Sequence, residues 1–334
     1  MAAAETEKTV REIPYVMAVA EGVRHALYEF DESFLAGEDV GPAGSVFGVY
    51  RGLHKEFGDK RIVDTPISEA GIIGLGVGAA ATGLRPIVDI MMMDFIGECM
   101  DEIANQMAKM RFMFGGKAKL PVTMLTMGGA AGSLAAQHSQ CLEAWLCHLP
   151  GLKVMVPSTP HDMKGAIVAA NREENPVCVI MNKGSLGIMG EVPEETYAIP
   201  IGEAKVVRDG TDVTVVAVGR MVYEAQKAAD TLAEEGISLE VIDPRTLLPF
   251  DTATVVQSVK KTHRALVVHE AVRFSGFGAE IASQIQEEAF DYLDAPVARV
   301  GAPFSPVPYS PVLEAAYLPD AKRIADGVRG MYGR

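Results

Sequence analysis

Residues 63–90 contain the feature that most constrains the fold: two short apolar strands separated by a helix made almost wholly of Gly, Ala and aliphatic residues. This helix, predicted over residues 71–82, has no polar face, so we expect the whole unit to be buried. Glu69 stands alone just before the helix. Burying an ionised carboxylate without a partner is costly, so Glu69 needs either a structural partner or a chemical role. The residues of this unit leave both possibilities open.

Strands and helices alternate along the rest of the chain, which is typical of a mostly parallel α/β sheet. In the first half, strands are predicted at residues 34–37, 62–63, 86–93, 122–125, 154–156 and 177–181. A second α/β unit begins near Gly202, with strands predicted at residues 213–218, 238–242, 265–268 and 297–300. We expect this second unit to form a compact parallel sheet of about five strands.

A chain of 334 residues suits two domains. We predict one domain over residues 1–195 and another over residues 196–334. Apolar residues that recur three and four apart predict one long helix from Ile96 to Phe114. Residues 183–200 have weak periodicity and two prolines, so they are predicted to connect the domains.

Charge and cysteine usage limit the classes of function. The formal net charge of −14 argues against a general binder of nucleic acid or anionic membranes. No apolar run is long enough to cross a bilayer, and the N-terminal MAAAETEKTV lacks the pattern of a secretory signal. The four cysteines form no CxxC pair, which argues against structural zinc and against a disulfide framework. These features predict a soluble, cytoplasmic protein.

His138 is a second candidate for chemistry. It follows a run of small residues in GGAAGSLAAQHSQ, where a backbone can approach a ligand closely, and histidine exchanges protons near neutral pH. The alternative is a hydrogen-bonded histidine that caps the following helix. Ser139 beside it does not make a catalytic triad, and the glycines at 74, 76 and 78 fall inside a helix rather than in a dinucleotide-binding loop.

Four stretches carry a family resemblance: DTPISEAGIIGLGVGAAATGLRPIVDIMMMDF, GGKAKLPVTMLTMGGAAGSLAAQHSQ, HLPGLKVMVPSTPHDMKGAIVAANREENPV and VIDPRTLLPFD. They resemble the β subunit of the thiamine-diphosphate-dependent E1 component of 2-oxo acid dehydrogenase complexes, of the pyruvate, branched-chain 2-oxo acid or acetoin type. The resemblance runs from GEDVG at residue 37 to PVPYSPVLE near the C-terminus. It implies a transketolase-like pyrimidine-binding domain followed by a transketolase C-terminal-like domain, both α/β with mostly parallel sheets.

The resemblance also implies roles for single residues. Glu69 matches the glutamate that hydrogen-bonds N1′ of the aminopyrimidine ring and so promotes loss of the proton from C2 of the thiazolium. Phe95 matches the aromatic residue that stacks on the pyrimidine. His138 matches a histidine that assists proton transfer and acyl passage to lipoamide, and Glu38 matches a glutamate near the cofactor.

Partners follow from the same resemblance. Thiamine enzymes hold the diphosphate through Mg²⁺ bound by a GDG motif and a later Asn, and the nearest match here is Arg208-Asp209-Gly210, predicted to be a turn between strands. An α subunit is therefore expected to hold the diphosphate and Mg²⁺ in an α2β2 heterotetramer. The second domain is expected to bind the E2 lipoyl acyltransferase, with Asp294 as a candidate contact and a solvated loop acid as the alternative.

A structural monovalent cation, K⁺, is the remaining implied ligand. Its expected ligands come from the segment AANREEN, in which Glu173 stands where an Asp is common. The matching positions are Ala170, Asn171, Glu173 and Asn175.

These features predict the β subunit of a 2-oxo acid or acetoin dehydrogenase E1, with the substrate left open. Half of a split transketolase is an enzymatic alternative that shares the fold and the glutamate. A non-catalytic E2-docking scaffold is an alternative from a different class.

Overall fold

A computed structural model describes residues 10–332. The N-terminal segment on which the absence of a secretory signal rests lies almost entirely outside the described residues. The strands are β1 Val10–Pro14, β2 Ser33–Gly37, β3 Ile62–Asp64, β4 Arg85–Ile90, β5 Thr123–Gly128, β6 Lys153–Met155, β7 Val177–Asn182, β8 Met189–Pro193, β9 Lys205–Arg208, β10 Val213–Ala217, β11 Leu239–Asp243, β12 Thr246–Leu248, β13 Ala265–Val272 and β14 Ala298–Ala302.

Helices connect most of these strands. The α-helices are α1 Tyr15–Glu29, α2 Leu53–Phe57, α3 Glu69–Ala81, α4 Met110–Met113, α5 Glu143–Cys147, α6 Pro160–Arg172, α7 Met221–Ala233, α8 Thr252–Thr262, α9 Gly278–Ala289, α10 Pro311–Tyr317 and α11 Ala321–Tyr332. Short 3₁₀ helices span Met93–Cys99, Lys183–Ser185 and Phe290–Tyr292, and a π-helix spans Glu102–Met107.

A seven-stranded sheet in the order β12-β6-β7-β5-β4-β2-β3 organises the first half of the chain. Six neighbouring strands are parallel, and only β12 is antiparallel. Side chains of β4 alternate between two cores: Ile87 packs with α1 and α6, and Val88 packs with α3. Because helices cover both faces of this sheet, the sequences of its strands are nearly continuous runs of apolar residues.

A five-stranded sheet in the order β14-β13-β10-β11-β9 organises the second half. The predicted strand number is correct, but the edge strand β9 runs antiparallel to β11. Helices α7 and α11 cover one face, and α8 and α9 cover the other. The predicted α/β class with mostly parallel sheets is confirmed.

Two strand pairings were not predicted from the sequence, and one of them joins the two halves of the chain. β12 leaves the second half and pairs with β6 of the first sheet. Residues 183–200 are more than a connection, because β8 pairs with β1 in a separate two-stranded sheet. The predicted division between residues 195 and 196 falls between β8 and β9 and stays a prediction.

The prediction of one long helix from Ile96 to Phe114 is wrong. The chain forms a 3₁₀ helix, a π-helix and the short α4, which together we call the 93–113 segment. Its buried residues follow at intervals of three and then four, at Ile96, Cys99, Ile103 and Met107. A tight 3₁₀ turn followed by a wide π turn keeps all four toward the core, so the apolar spacing did not require a regular α-helix.

The prediction that helix α3 is buried all round is also wrong for the chain taken alone. Ile73 and Val77 face the core, and a Cβ at Gly76 would lie 2.8 Å from Cγ1 of Val88. Gly74 and Gly78 are exposed, and apart from chain neighbours and the backbone of α3 itself no described atom lies within 4 Å of the position that a Cβ would take on either. The exposed face of α3 is thus apolar, made of small residues together with Leu75, which is 42% exposed.

Two further observations concern the cysteines and the possibility of a membrane-spanning helix. All four cysteines are free thiols. Within residues 10–332, no helix combines the length and apolar character needed to cross a membrane.

Candidate functional site

Four candidate residues follow the carboxyl ends of four neighbouring strands. Glu38 follows β2, Glu69 follows β3, Phe95 follows β4 and His138 follows β5. These strands lie side by side in the order β3-β2-β4-β5 and are parallel, so all four residues belong to one edge of the sheet, which we call the carboxyl edge. Ligands of parallel α/β sheets bind at this edge.

Glu69 is the first residue of α3. The Oγ atom of Ser68 caps the helix by accepting a hydrogen bond from the Gly71 amide at 3.3 Å. The helix N-terminus, with its partial positive charge, favours a carboxylate there. The side chain is half-buried rather than buried as predicted, because the outer face of α3 is open. Within the described residues, no group donates a hydrogen bond to its carboxylate.

Glu38 lies close to Glu69. Partial burial raises the pKa of Glu38, and the negative charges of Asp39 and Glu69 raise it further. The 93–113 segment borders Glu69, since burial and the charge of Glu69 raise the pKa of the Cys99 thiol to about 12. Glu69 therefore stands between the loop after β2 and the segment that carries Phe95.

Asp89, on β4 behind Glu38, is a residue that the sequence analysis missed. It is buried, and its Oδ1 accepts a hydrogen bond from the Tyr50 hydroxyl at 2.9 Å. Burial raises the pKa of Asp89 to about 7, and the charge of Glu38 adds to the shift. The sequence signal that could have identified Asp89 was a single acidic residue inside the apolar strand RPIVDI.

Phe95 and His138 are in direct contact. Their ring centroids lie 5.3 Å apart, and the planes meet at 82°, so one ring meets the other edge-on. Both side chains are partly exposed. His138 does not cap a helix, because α5 begins only at Glu143. The structural alternative offered for His138 is therefore wrong, although its catalytic role stays a prediction.

Asp94, also missed, fixes this contact. Its Oδ1 accepts hydrogen bonds from the backbone amides of Ser139 and Gln140, both at 3.2 Å, and from the Gln140 side chain at 2.9 Å. One carboxylate beside Phe95 thereby holds the end of residues 129–140, which we call the His138 loop.

The residues expected to bind K⁺ lie at the opposite edge of the sheet, in the last turn of α6 and in the turn that joins it to β7. The Arg85 guanidinium donates to the carbonyls of Asn171 and Glu173, at 2.7 and 3.2 Å. The ammonium group of Lys153 binds the Glu173 carboxylate. Two positive side chains thus already satisfy these oxygens, and bound K⁺ stays a prediction.

The remaining predicted ligands are also hydrogen-bonded within the chain. The Ala170 carbonyl accepts from the Glu173 amide at 3.2 Å, and the Asn175 side chain donates to Glu173 at 3.1 Å. Among residues 10–332, no three or more His, Cys, Asp or Glu side chains form a group that could hold a metal ion.

Asp294 lies after the 3₁₀ helix Phe290–Tyr292, far along the chain from the carboxyl edge of the first sheet. Its carboxylate is more than half exposed and lies 3.6 Å from the Arg264 guanidinium. A contact with E2 through this residue stays a prediction.

Comparison with known proteins identifies the architecture. Residues 11–189 match the transketolase pyrimidine-binding domain, and residues 202–324 match the transketolase C-terminal domain. The β subunit of acetoin:2,6-dichlorophenolindophenol oxidoreductase from Bacillus subtilis strain 168 is 46% identical over 319 residues, which covers 92% of this chain and 93% of that protein. The pyruvate dehydrogenase E1 β subunit of Rhizobium meliloti strain 1021 is 43% identical over 320 residues, covering 94% of this chain and 70% of that protein.

The chain belongs to the transketolase-like E1 β-subunit family. A solved structure described as a split-gene transketolase, an inactive β4 tetramer, superposes with a TM-score of 0.79 and covers 96% of this chain and 98% of its own. At 23% identity this likeness concerns the fold alone. The predicted family and two-domain fold are confirmed, and the relatives support an E1 β subunit over half of a split transketolase.

Proposed function

We propose that this chain is the β subunit of a thiamine-diphosphate-dependent dehydrogenase E1 and acts only together with an α subunit. The observation that carries the proposal is the set of four residues, Glu38, Glu69, Phe95 and His138, along one carboxyl edge. The identity with acetoin and pyruvate dehydrogenase subunits supports it.

The residues present fit the pyrimidine half of the cofactor. A ring with nitrogen atoms needs a hydrogen-bonding carboxyl group and an apolar face to lie against. Glu69 offers a carboxylate that accepts no hydrogen bond from the described residues, and Phe95 offers a partly exposed aromatic ring. When bound, thiamine diphosphate supplies the carbon nucleophile that attacks the substrate carbonyl.

Each side chain has a defined part in the chemistry. Glu69 shares a proton with the pyrimidine nitrogen, and Phe95 fixes the plane of that ring. His138, held edge-on against Phe95, moves a proton to and from the substrate oxygen. Glu38 borders Glu69, and partial burial and the charges of Asp39 and Glu69 raise its pKa.

The α subunit is proposed to hold the diphosphate and Mg²⁺, because the sequence has no GDG motif followed by an Asn at the usual spacing. Two apolar surfaces are available for assembly into α2β2. One is the exposed face of α3, and the other is the end of the 93–113 segment, where Phe112 and Met113 are 86% and 74% exposed. Transfer of the acyl product to the lipoyl group of an E2 acyltransferase, with Asp294 as a contact, completes the proposal.

Acetoin is the proposed substrate, and pyruvate is the second candidate. The acetoin-type relative is 46% identical and the pyruvate-type relative 43%. The co-expressed α/β pair should reduce dichlorophenolindophenol faster with acetoin than with pyruvate. Faster reduction with pyruvate would reverse this choice, and ketol transfer between sugar phosphates would indicate the transketolase alternative.

Glu69→Gln tests the central assignment. In the α/β complex, this variant should slow C2 proton exchange of thiamine diphosphate by at least about 100-fold, because the amide cannot share the proton. NMR of the C2 proton in D₂O measures the rate, and circular dichroism checks that the fold is intact.

Glu98→Gln is the matched control, since it makes the same change at an exposed glutamate of the 93–113 segment. It should leave exchange within about twofold of the unmodified complex. Normal exchange in Glu69→Gln would refute the function assigned to Glu69.

A further inference from the structure

Three carboxylates from distant parts of the chain hold the His138 loop by its backbone amides. Asp94 accepts from Ser139 and Gln140, as described above. Glu270, on β13, accepts from the amide of Ala130 at 2.6 Å. Glu314, on α10, accepts from the amide of Ser133 with both oxygens at 3.1 Å. The loop is thus fixed at its start, its middle and its end.

The loop needs such support because its own backbone is strained. Ser133 and Ala135 have φ angles of 58° and 60°, in the left-handed region that residues with a Cβ rarely adopt. Each such residue is less stable in this conformation than in the ordinary one. Without its hydrogen bonds to the three carboxylates, the loop would relax and His138 would lose its place against Phe95.

A buried lysine provides the opposite charge. Lys183 follows β7 and is 6% exposed, and no described atom accepts a hydrogen bond from its Nζ. Burial lowers the pKa of Lys183, while the charges of Asp94, Glu270 and Glu314 oppose that shift. The structure places Lys183 beside this group: the side chain of Asn182, its neighbour in the chain, donates a hydrogen bond to Oε2 of Glu270 at 2.8 Å. The three carboxylates that hold the loop also act electrostatically on the Lys183 ammonium group.

We propose that Lys183 is the positioning residue of the His138 loop: its ammonium group compensates the three carboxylates, so that they can bind the loop amides in a partly buried setting. Charged acceptors bind N–H donors more strongly than neutral ones, and clustered carboxylates lose their charge when no cation is near. This inference rests on the proposed function only in giving His138 a catalytic role.

Lys183→Met tests the inference through amide hydrogen exchange of the full chain, without cofactor or α subunit. The amides of Ala130, Ser133 and Ser139 should exchange at least about tenfold faster, while β10 stays protected. Lys183→Arg, which keeps the charge, should restore most of the protection. Lys183→Gln is measured in parallel, so that a folding failure of one neutral variant leaves the other.

Lys164→Met is the matched control. Lys164 is fully buried in α6, lies 3.4 Å from Glu21 and is not among the groups that contact the His138 loop. It should leave exchange in the loop within about twofold of the unmodified chain. Unchanged loop exchange in both neutral Lys183 variants, or equal acceleration in Lys164→Met, would overturn the proposal. Neither result depends on whether Glu69 activates a cofactor.

The assembled enzyme provides a second readout. Lys183→Met should lower kcat at least about tenfold while changing the affinity for thiamine diphosphate by less than about threefold, because the pyrimidine contacts of Glu69 and Phe95 remain. An equal loss in affinity would indicate general damage to the carboxyl edge and would contradict the positioning role.

Discussion

Asp89 is a buried carboxyl group whose pKa is raised by folding. Its pKa of about 7 lies far above the value of about 3.9 for an unfolded chain. Between these values the folded chain keeps a proton that the unfolded chain loses. The stability contributed by Asp89 is therefore complete below about pH 4 and is lost as the pH rises through 7.

Asp89→Asn should accordingly gain stability relative to the unmodified chain as the pH increases. The amide oxygen can still accept from Tyr50, but the side chain never has to ionise inside the core. Between pH 5 and pH 8, we expect the difference in unfolding free energy to shift in favour of the variant by about 2 kcal/mol. Urea unfolding at both values measures it. Asp101→Asn, at an exposed position, is the control, and an equal difference at both pH values would contradict the prediction.

Sequence reasoning found the residues that belong to recognisable motifs and missed those that act on them. Glu69 and His138 stood out because a lone acid in an apolar unit and a histidine after small residues are visible locally. Asp94, Lys183 and Glu314 gain their roles from partners many residues away, and spacing along a chain does not reveal such pairs. An acidic residue in an apolar run, as in VDIMMMDF, was the one local sign of this network.

At the scale of elements, the two faces of α3 place different demands on its glycines. Gly76 lies against Val88, where a methyl group would clash, while Gly78 faces open space. Gly78→Ala should raise the stability of the separate chain by about 0.5–1 kcal/mol, since alanine favours helix. Gly76→Ala, on the same helix, should lower it by about 1–3 kcal/mol through overpacking. Thermal unfolding compares the two.

Assembly with the α subunit should reverse the effect of Gly78→Ala, from stabilising to destabilising. If the exposed face of α3 packs closely on another subunit, the methyl group of Gly78→Ala weakens the α/β complex although it stabilises the free chain. Analytical ultracentrifugation of the mixed subunits measures this. Unimpaired assembly of Gly78→Ala would indicate that this face lies outside the subunit contact.

The regular elements followed from apolar periodicity, and the irregular ones did not. Strands such as β5, which is buried along its whole length, could be recognised in the sequence as largely apolar runs. In the 93–113 segment the apolar residues recur three and four apart, as they do in an α-helix, so the sequence did not reveal its 3₁₀ and π turns. β1 and β8 pair across most of the first half of the chain, and neither has a strong apolar pattern of its own.

For the whole molecule, Arg245 joins the two sheets. It lies between β11 and β12, and its guanidinium donates to the Glu203 carbonyl at 2.8 and 3.1 Å and lies 3.4 Å from Asp162 on α6. Its own carbonyl accepts from the Val156 amide at 2.8 Å. Burial raises the pKa of Asp162, but hydrogen bonds and the charge of Arg245 bring it below its ordinary value.

Arg245→Met should destabilise the chain by about 3 kcal/mol, because Asp162 would keep a buried charge with fewer partners. It should also make the unfolding of the two sheets less coincident than in the unmodified chain, because the sheets become less coupled. Arg208→Met, which removes a surface pair with Asp230, should cost less than about 1 kcal/mol. Guanidinium unfolding followed by two probes distinguishes them, and coincident curves for Arg245→Met and the unmodified chain would contradict the prediction.

The pairing of β12 with β6 has a consequence for how the protein is made. On the ribosome, β6 and its parallel partner β7 emerge long before β12, so one edge of β6 stays unpaired until α7 and β11 have also been synthesised. Unpaired strands invite association with other chains. Translation speed and chaperone access during this interval therefore bear directly on the yield of native protein.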